Sequence, residues 1–142
     1  MVDNAHGAYL KFLPESRHPL DLGADVCCDS AHKTLPVLTG GAYLHLSDKF
    51  AEKYGGQAKQ ALAIFGSTSP SYLILQSLDL ANVYLDTYKE TLAPFLEQVY
   101  TIKKALQDYG YSLFGNEPMK ITIAAKPYGY SGTGLAEVLV RQ

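Results

Sequence analysis

The sequence predicts an α/β fold, and three observations carry that expectation. Residues 24–29 and 42–46 are short apolar runs of strand length, each entered from a glycine that breaks the chain. Two longer segments after residue 69 repeat apolar side chains at spacings of three, four and seven, the period of a helix with one buried stripe. Beyond Gly110 the texture changes again, to the β-branched run Ile121-Thr122-Ile123.

In chain order, Val2 and Asp3 read as the end of a strand. A parallel strand needs neighbours and cover on both faces, so the chain is expected to be a piece of a larger protein. The following residues start apolar and pass into a loop rich in charge and proline, through Pro14, Arg17, His18 and Pro19. Gly23 leads into the buried strand at 24–29, and Gly40-Gly41 into the alternating strand at 42–46. Ser47-Asp48 caps a helix over residues 49–54; Gly55-Gly56 ends it, and residues 57–65 form a further short helix stopped by Gly66. Ser67-Thr68-Ser69-Pro70 signals the next helix start, a serine cap with proline in the first position. That helix should run to Thr87 and bury Leu73, Leu80, Val83 and Tyr84. Pro94 is tolerated only in a first turn, which sets the start of the following helix near Thr91. Leu92, Phe95, Leu96, Val99 and Leu106 form its stripe, and Gly110 its stop. Residues 111–114 and 119–125 are expected strands, and Gly132-Thr133-Gly134 opens a last helix to Gln142. The change near Gly110 divides the chain into residues 1–110 and a smaller portion, 111–142.

Composition excludes several classes. A chain of 142 residues suffices for one domain with a core, and 47% apolar with 18% charged residues reads as soluble and globular. A net charge of −2 leaves no basic footprint, so nucleic acid is not an expected partner. No run of eighteen apolar residues exists, so no membrane span is expected. The N-terminus lacks the basic and apolar regions of a signal peptide. Adjacent Cys27 and Cys28 would point to opposite faces of a strand, where a bridge between them is strained; free thiols in a cytoplasmic protein are expected. His6, His18, His32 and His45 are scattered without ligand spacing, so no metal is expected. Gly129-Tyr130-Ser131-Gly132-Thr133-Gly134 lacks the spacing of a dinucleotide fingerprint, and no Gly-x-Ser-x-Gly elbow surrounds Ser30.

The chemistry points to Ser30-Ala31-His32-Lys33-Thr34, directly after the apolar run Val26-Cys27-Cys28. A lysine is nucleophilic near neutral pH when its ammonium is desolvated or crowded by other cations. A lysine at the end of a buried strand, beside a histidine, is placed for that, and the commonest partner of such an amine is the aldehyde of pyridoxal phosphate (PLP).

Four motifs, Asp3-Asn4-Ala5-His6-Gly7-Ala8, Gly23-Ala24-Asp25, Ser30-Ala31-His32-Lys33-Thr34-Leu35-Pro36 and Ser67-Thr68-Ser69-Pro70-Ser71-Tyr72, occur in one order and register. In them the chain resembles the PLP-dependent ornithine/lysine/arginine decarboxylases, of the aspartate-aminotransferase (type I) fold. The resemblance runs over essentially the whole chain. It implies the C-terminal part of the PLP-binding large domain at 1–110 and part of the small domain at 111–142. It implies that Lys33 carries the cofactor as an internal aldimine and later moves a proton. Asp3 would face the pyridine nitrogen and keep it protonated, and Ala5 would pack flat on the ring. His6 stands where related aminotransferases often have a tyrosine reaching the ring hydroxyl, and would do the same or stack near the cofactor. Ser30 and His32 would contact the phosphate or its surroundings. Thr68 would donate to the phosphate bound by a partner subunit, beside a helix start that favours anions.

The implied reaction is decarboxylation of a basic amino acid to an amine and carbon dioxide. The family's upstream glycine- and serine-rich phosphate loop and its ring-stacking aromatic are absent from this sequence. Weak PLP binding and negligible turnover are therefore expected of the chain alone, along with self-association into a homo-oligomer through uncovered apolar surface. An aminotransferase or aldolase of the same fold, or a non-catalytic remnant acting as an interaction domain, are the alternatives.

Overall fold

The computed structural model describes residues 1–66 and 69–141 and divides into two compact units, Met1–Leu92 and Ala93–Gln142. The division falls inside a helix, ahead of the change in sequence texture at Gly110.

The first unit is mixed α/β, built on a three-stranded sheet in the order β1-β2-β3. Strand β1 (Val2–Asp3) runs parallel to β2 (Val26–Asp29), with Val2 beside Cys27 and Asp3 beside Cys28. Strand β3 (Tyr43–Leu46) is antiparallel to β2, setting His45 beside Cys27 and Tyr43 beside Asp29. A parallel pair needs a long crossover, here a 3-10 helix (Ala8–Phe12) followed by the charged, proline-containing loop. Between β2 and β3 lies the one-turn helix α1 (Ala31–Thr34). Ala8, Tyr9, Leu13, Cys27, Ala31 and Leu35 from these segments are buried.

Helix α2 (Asp48–Phe65) starts as expected, with Ser47 Oγ accepting from the Phe50 N–H at 3.3 Å. It does not stop at Gly55-Gly56. Two helical glycines together cost about 2 kcal/mol relative to alanine, and the hydrogen bonds of an eighteen-residue helix outweigh that.

Helix α3 (Tyr72–Leu85) begins after Ser71, so Pro70 precedes the helix instead of opening it. Ser67 and Thr68, part of the expected cap, lie outside the described residues. The expected buried stripe is also wrong: Leu73, Leu80, Val83 and Tyr84 are all exposed. The sequence YLILQSLDLANVYL is apolar nearly all round, so periodicity does not choose a face. The chosen face is set by the segment before β3. The Leu38 N–H donates to Ser77 Oγ at 3.1 Å and the Tyr43 hydroxyl to the Leu78 carbonyl at 2.9 Å, with Ala81 buried on the same side.

Helix α4 (Tyr88–Asp108) starts earlier than Pro94 suggested, which leaves the proline in its second turn. There it removes the donor for the Glu90 carbonyl, next to the point where the two units divide. Leu92 and Val99 of the expected stripe are buried, whereas Phe95 is exposed. Gly110, at φ +97°, ends the helix as expected: its N–H donates to the Gln107 carbonyl and that of Tyr111 to Leu106, closing a Schellman motif.

In the second unit the two expected strands reduce to one antiparallel bridge, Leu113 with Ile123, flanked by two further ladder bonds. A two-stranded ladder this short is not independently stable. Helix α5 (Gly132–Val140) is capped by Ser131, whose Oγ accepts from the Gly134 N–H at 3.0 Å. Among the described residues no helix is long and apolar enough to cross a membrane.

Candidate functional site

Of the residues singled out in sequence, Asp3 to His6 and Ser30 to Lys33 follow the C-terminal ends of the two parallel strands, where open α/β sheets place their ligands. Asp3 ends β1, and Ser30 follows β2 directly as the cap of α1, the helix that contains His32 and Lys33. The ladder continues past β1, with the Asn4 N–H donating to the Cys28 carbonyl at 2.9 Å, so the two strand ends are held side by side.

Each group has a distinct setting. Asp3 is exposed, and its carboxylate accepts from the Ala5 N–H at 3.1 Å, an Asx turn that fixes it. Ala5 is half-buried and His6 exposed. Ser30 is half-buried, and its carbonyl accepts from the Lys33 N–H at 3.1 Å. His32 is locked: Nδ1 lies 3.0 Å from the Gly41 carbonyl, which only accepts, so Nδ1 bears the proton. Lys33 is exposed, in contrast to the desolvated amine that its place after a buried strand predicts. Beside it, Thr34 Oγ1 is buried and, among the described residues, has no hydrogen-bond partner. Thr68 lies outside the described residues.

A second polar constellation, absent from the sequence reading, occupies the opposite face of the same sheet. Alternation along β2 puts Cys27 and Asp29 on one face and Cys28 on the other, with Asp3. Asp29 is 2% exposed. Its Oδ2 lies 3.0 Å from His18 Nε2 and 3.1 Å from His45 Nε2. Its Oδ1 accepts from Asn4 Nδ2 at 2.8 Å and from the Cys27 thiol at 3.5 Å. Burial works to raise the Asp29 pKa, yet the hydrogen bonds from His45, His18 and Asn4 outweigh it and bring the carboxyl down to about 2. Burial, and then the neighbouring carboxylate, push the Cys27 thiol up to about 12.

Local chemistry explains the placement. Gly7 is needed because a Cβ there would collide with the Asn4 side chain, which is turned towards Asp29. The loop delivers His18 through a turn in which its carbonyl accepts from the Asp21 and Leu22 N–H groups. The β2–β3 register pairs His45 with Cys27, two residues before Asp29 and so on the same face of the sheet. A cavity of about 250 Å³ opens beside the cluster, lined by His18, Asp29 and His45 together with Lys11, Tyr43 and Leu35.

The sequence model of the Orn/Lys/Arg decarboxylase major domain matches residues 1–127. The chain belongs to this family. It is 34% identical over 99% of its length to the Bacillus subtilis protein YaaO, covering 31% of that protein. It is 29% identical to a Bacillus subtilis arginine decarboxylase, over 93% of this chain and 29% of the relative. It is 28% identical to a Bacillus anthracis arginine decarboxylase, over all of this chain and 31% of the relative. The chain thus spans less than a third of the curated relatives it matches. For an Orn/Lys/Arg decarboxylase domain, the strand-end residues are the ones to test against a pyridoxal cofactor. The donor set suits it: a carboxylate for a ring nitrogen, an amine for an aldehyde, and an orphaned hydroxyl at Thr34 in the same turn.

Proposed function

We propose that this chain contributes the pyridoxal-phosphate-binding segment of a type I fold decarboxylase acting on a basic amino acid, arginine, lysine or ornithine. The observation that carries the reading is the side-by-side ending of two parallel strands, one in Asp3 and the other running into Ser30 and Lys33.

When bound, the pyridoxal ring supplies an electron sink for the pair left as carbon dioxide departs. Lys33 would hold the cofactor through its amine and would afterwards move a proton at its Nζ. Asp3, fixed by the Ala5 N–H, would face the ring nitrogen and keep it protonated. Ala5, lacking bulk, would leave room for a flat ring, and His6, one residue on, would reach its hydroxyl or stack near it. Ser30 and His32 serve the phosphate end, His32 being oriented by its bond to Gly41. Thr68 completes that end from a second copy of the chain. In this reading residues 1–110 belong to the large domain and 111–142 to the small one, in a cytoplasmic protein.

The chain by itself is expected to bind PLP weakly and to show negligible turnover, and the exposure of Lys33 is in keeping with that. Self-association is the other expectation, since Leu73, Leu80 and Val83 leave an apolar face of α3 in solvent; light scattering from a clean monomer would count against it.

The test is to incubate the protein with PLP, reduce with borohydride and map the modified peptide by mass spectrometry. Selective modification at Lys33 is expected. Modification spread evenly over the exposed lysines, unchanged in Lys33→Ala, overturns the reading.

A further inference from the structure

We propose that His18, Asp29 and His45 form a binding site for a divalent first-row cation of the zinc class, on the sheet face opposite Asp3. The proposal is independent of the decarboxylase reading.

Three segments distant in sequence converge here: the loop after the 3-10 helix, β2 and β3. Their ligand atoms, two Nε2 and one carboxylate oxygen, all lie within 4.8 Å of one another. Both nitrogens are close to the same oxygen, at 3.0 and 3.1 Å. Tetrahedral zinc–ligand bonds of about 2.0–2.2 Å put neighbouring ligand atoms about 3.3–3.6 Å apart. A cation therefore enters when each imidazole backs off from the carboxylate oxygen by a few tenths of an ångström, the three ligand atoms already lying within 4.8 Å of one another. Two imidazoles and one carboxylate with open positions are an established donor set for such ions.

The surroundings are those of a preorganised site. Asn4 holds the far carboxylate oxygen at 2.8 Å, as an outer-shell partner does for a ligating carboxylate. His18 is almost wholly buried, and the β-ladder fixes His45. The cavity of about 250 Å³ lined by all three residues gives the ion a way in, and gives water room to complete its coordination. Lys11, also on the cavity wall, is paired with Asp21 at 2.6 Å.

The change on binding is a proton relocation. His18 Nδ1 accepts weakly from the Leu20 N–H at 3.4 Å, so the ring proton sits on Nε2, aimed at Asp29. A cation at Nε2 displaces that proton to Nδ1 and ends the Leu20 contact. The competing reading is a hydrogen-bonded brace that takes up no ion.

Titration of the chelator-stripped chain with Co²⁺ separates the two. The proposal expects a saturable visible absorbance, displaced by Zn²⁺, and at least tenfold weaker binding in His45→Gln and in His18→Gln. His45 is partly exposed, so His45→Gln, checked for native circular dichroism, carries the test even if His18→Gln does not fold. Cys28→Ser should bind as the wild type does. Absence of the band at millimolar Co²⁺, its persistence in His45→Gln, or its loss in Cys28→Ser would each overturn the site.

Discussion

Asp3 and Asp29 are carboxylates on neighbouring strands of one sheet, and the sheet treats them oppositely. Asp3 is exposed at a strand end and accepts from the backbone N–H of Ala5. Asp29 is buried on the other face and receives Asn4, His18, His45 and Cys27. The alternation of side chains along a strand sorts reachable groups from saturated ones within a few residues. A reachable carboxylate costs the fold little and remains available to a ligand. A saturated one holds segments together, and its loss strands several buried partners.

The largest effect expected from this contrast is on stability. Asp29→Ala should destabilise the first unit by about 3 kcal/mol, because it leaves buried imidazole and amide donors without an acceptor. Asp3→Ala should change stability by no more than about 0.5 kcal/mol, as usual for an exposed site. Urea midpoints of the two variants test this, and equal losses would break the comparison.

Acid should reveal the same asymmetry. The folded-state pKa of Asp29 is depressed to about 2 from its ordinary value of 3.8. Its contribution, about 2 kcal/mol, is thus complete above pH 4 and fades as pH falls towards 2. With chelator present, the wild type should lose that stability over this window, and Asp29→Asn should show a flatter profile.

The two thiols sharpen the comparison at one strand. Cys27, fully buried and raised to about 12, should alkylate at pH 8 at least tenfold more slowly than half-buried Cys28. Peptide mapping after timed iodoacetamide exposure reads the ratio. Among the partners of Asp29 the smallest loss belongs to Asn4→Ala, which removes one charge-assisted hydrogen bond and should cost about 1–2 kcal/mol by the same urea measurement.

What was legible in the sequence was local. Strands β2 and β3, the Ser47 cap, the Gly110 stop and the helix opening at Gly132 depend on a few adjacent residues, and each is where the pattern puts it. Gly55-Gly56 misled because cooperativity along α2 exceeds the local penalty. The stripe on α3 misled because a helix apolar on nearly every side takes its orientation from what touches it, here Leu38 and Tyr43. The motifs around Asp3 and Lys33 were readable because each is contiguous. The grouping of His18, Asp29 and His45 was not, since it exists only once β2 and β3 pair and the loop folds back over them. The one available signal was an aspartate in an otherwise apolar run, Val26-Cys27-Cys28-Asp29, which demands buried partners.

The central claim is that the exposed strand ends, and not the buried face, hold the cofactor through Lys33. Equilibrium titration with PLP, followed by visible absorbance on the wild type and on Lys33→Ala, tests it most directly. The account predicts a saturable band in the wild type and none in Lys33→Ala, with the same urea midpoint for both proteins. An undiminished band in Lys33→Ala would contradict it.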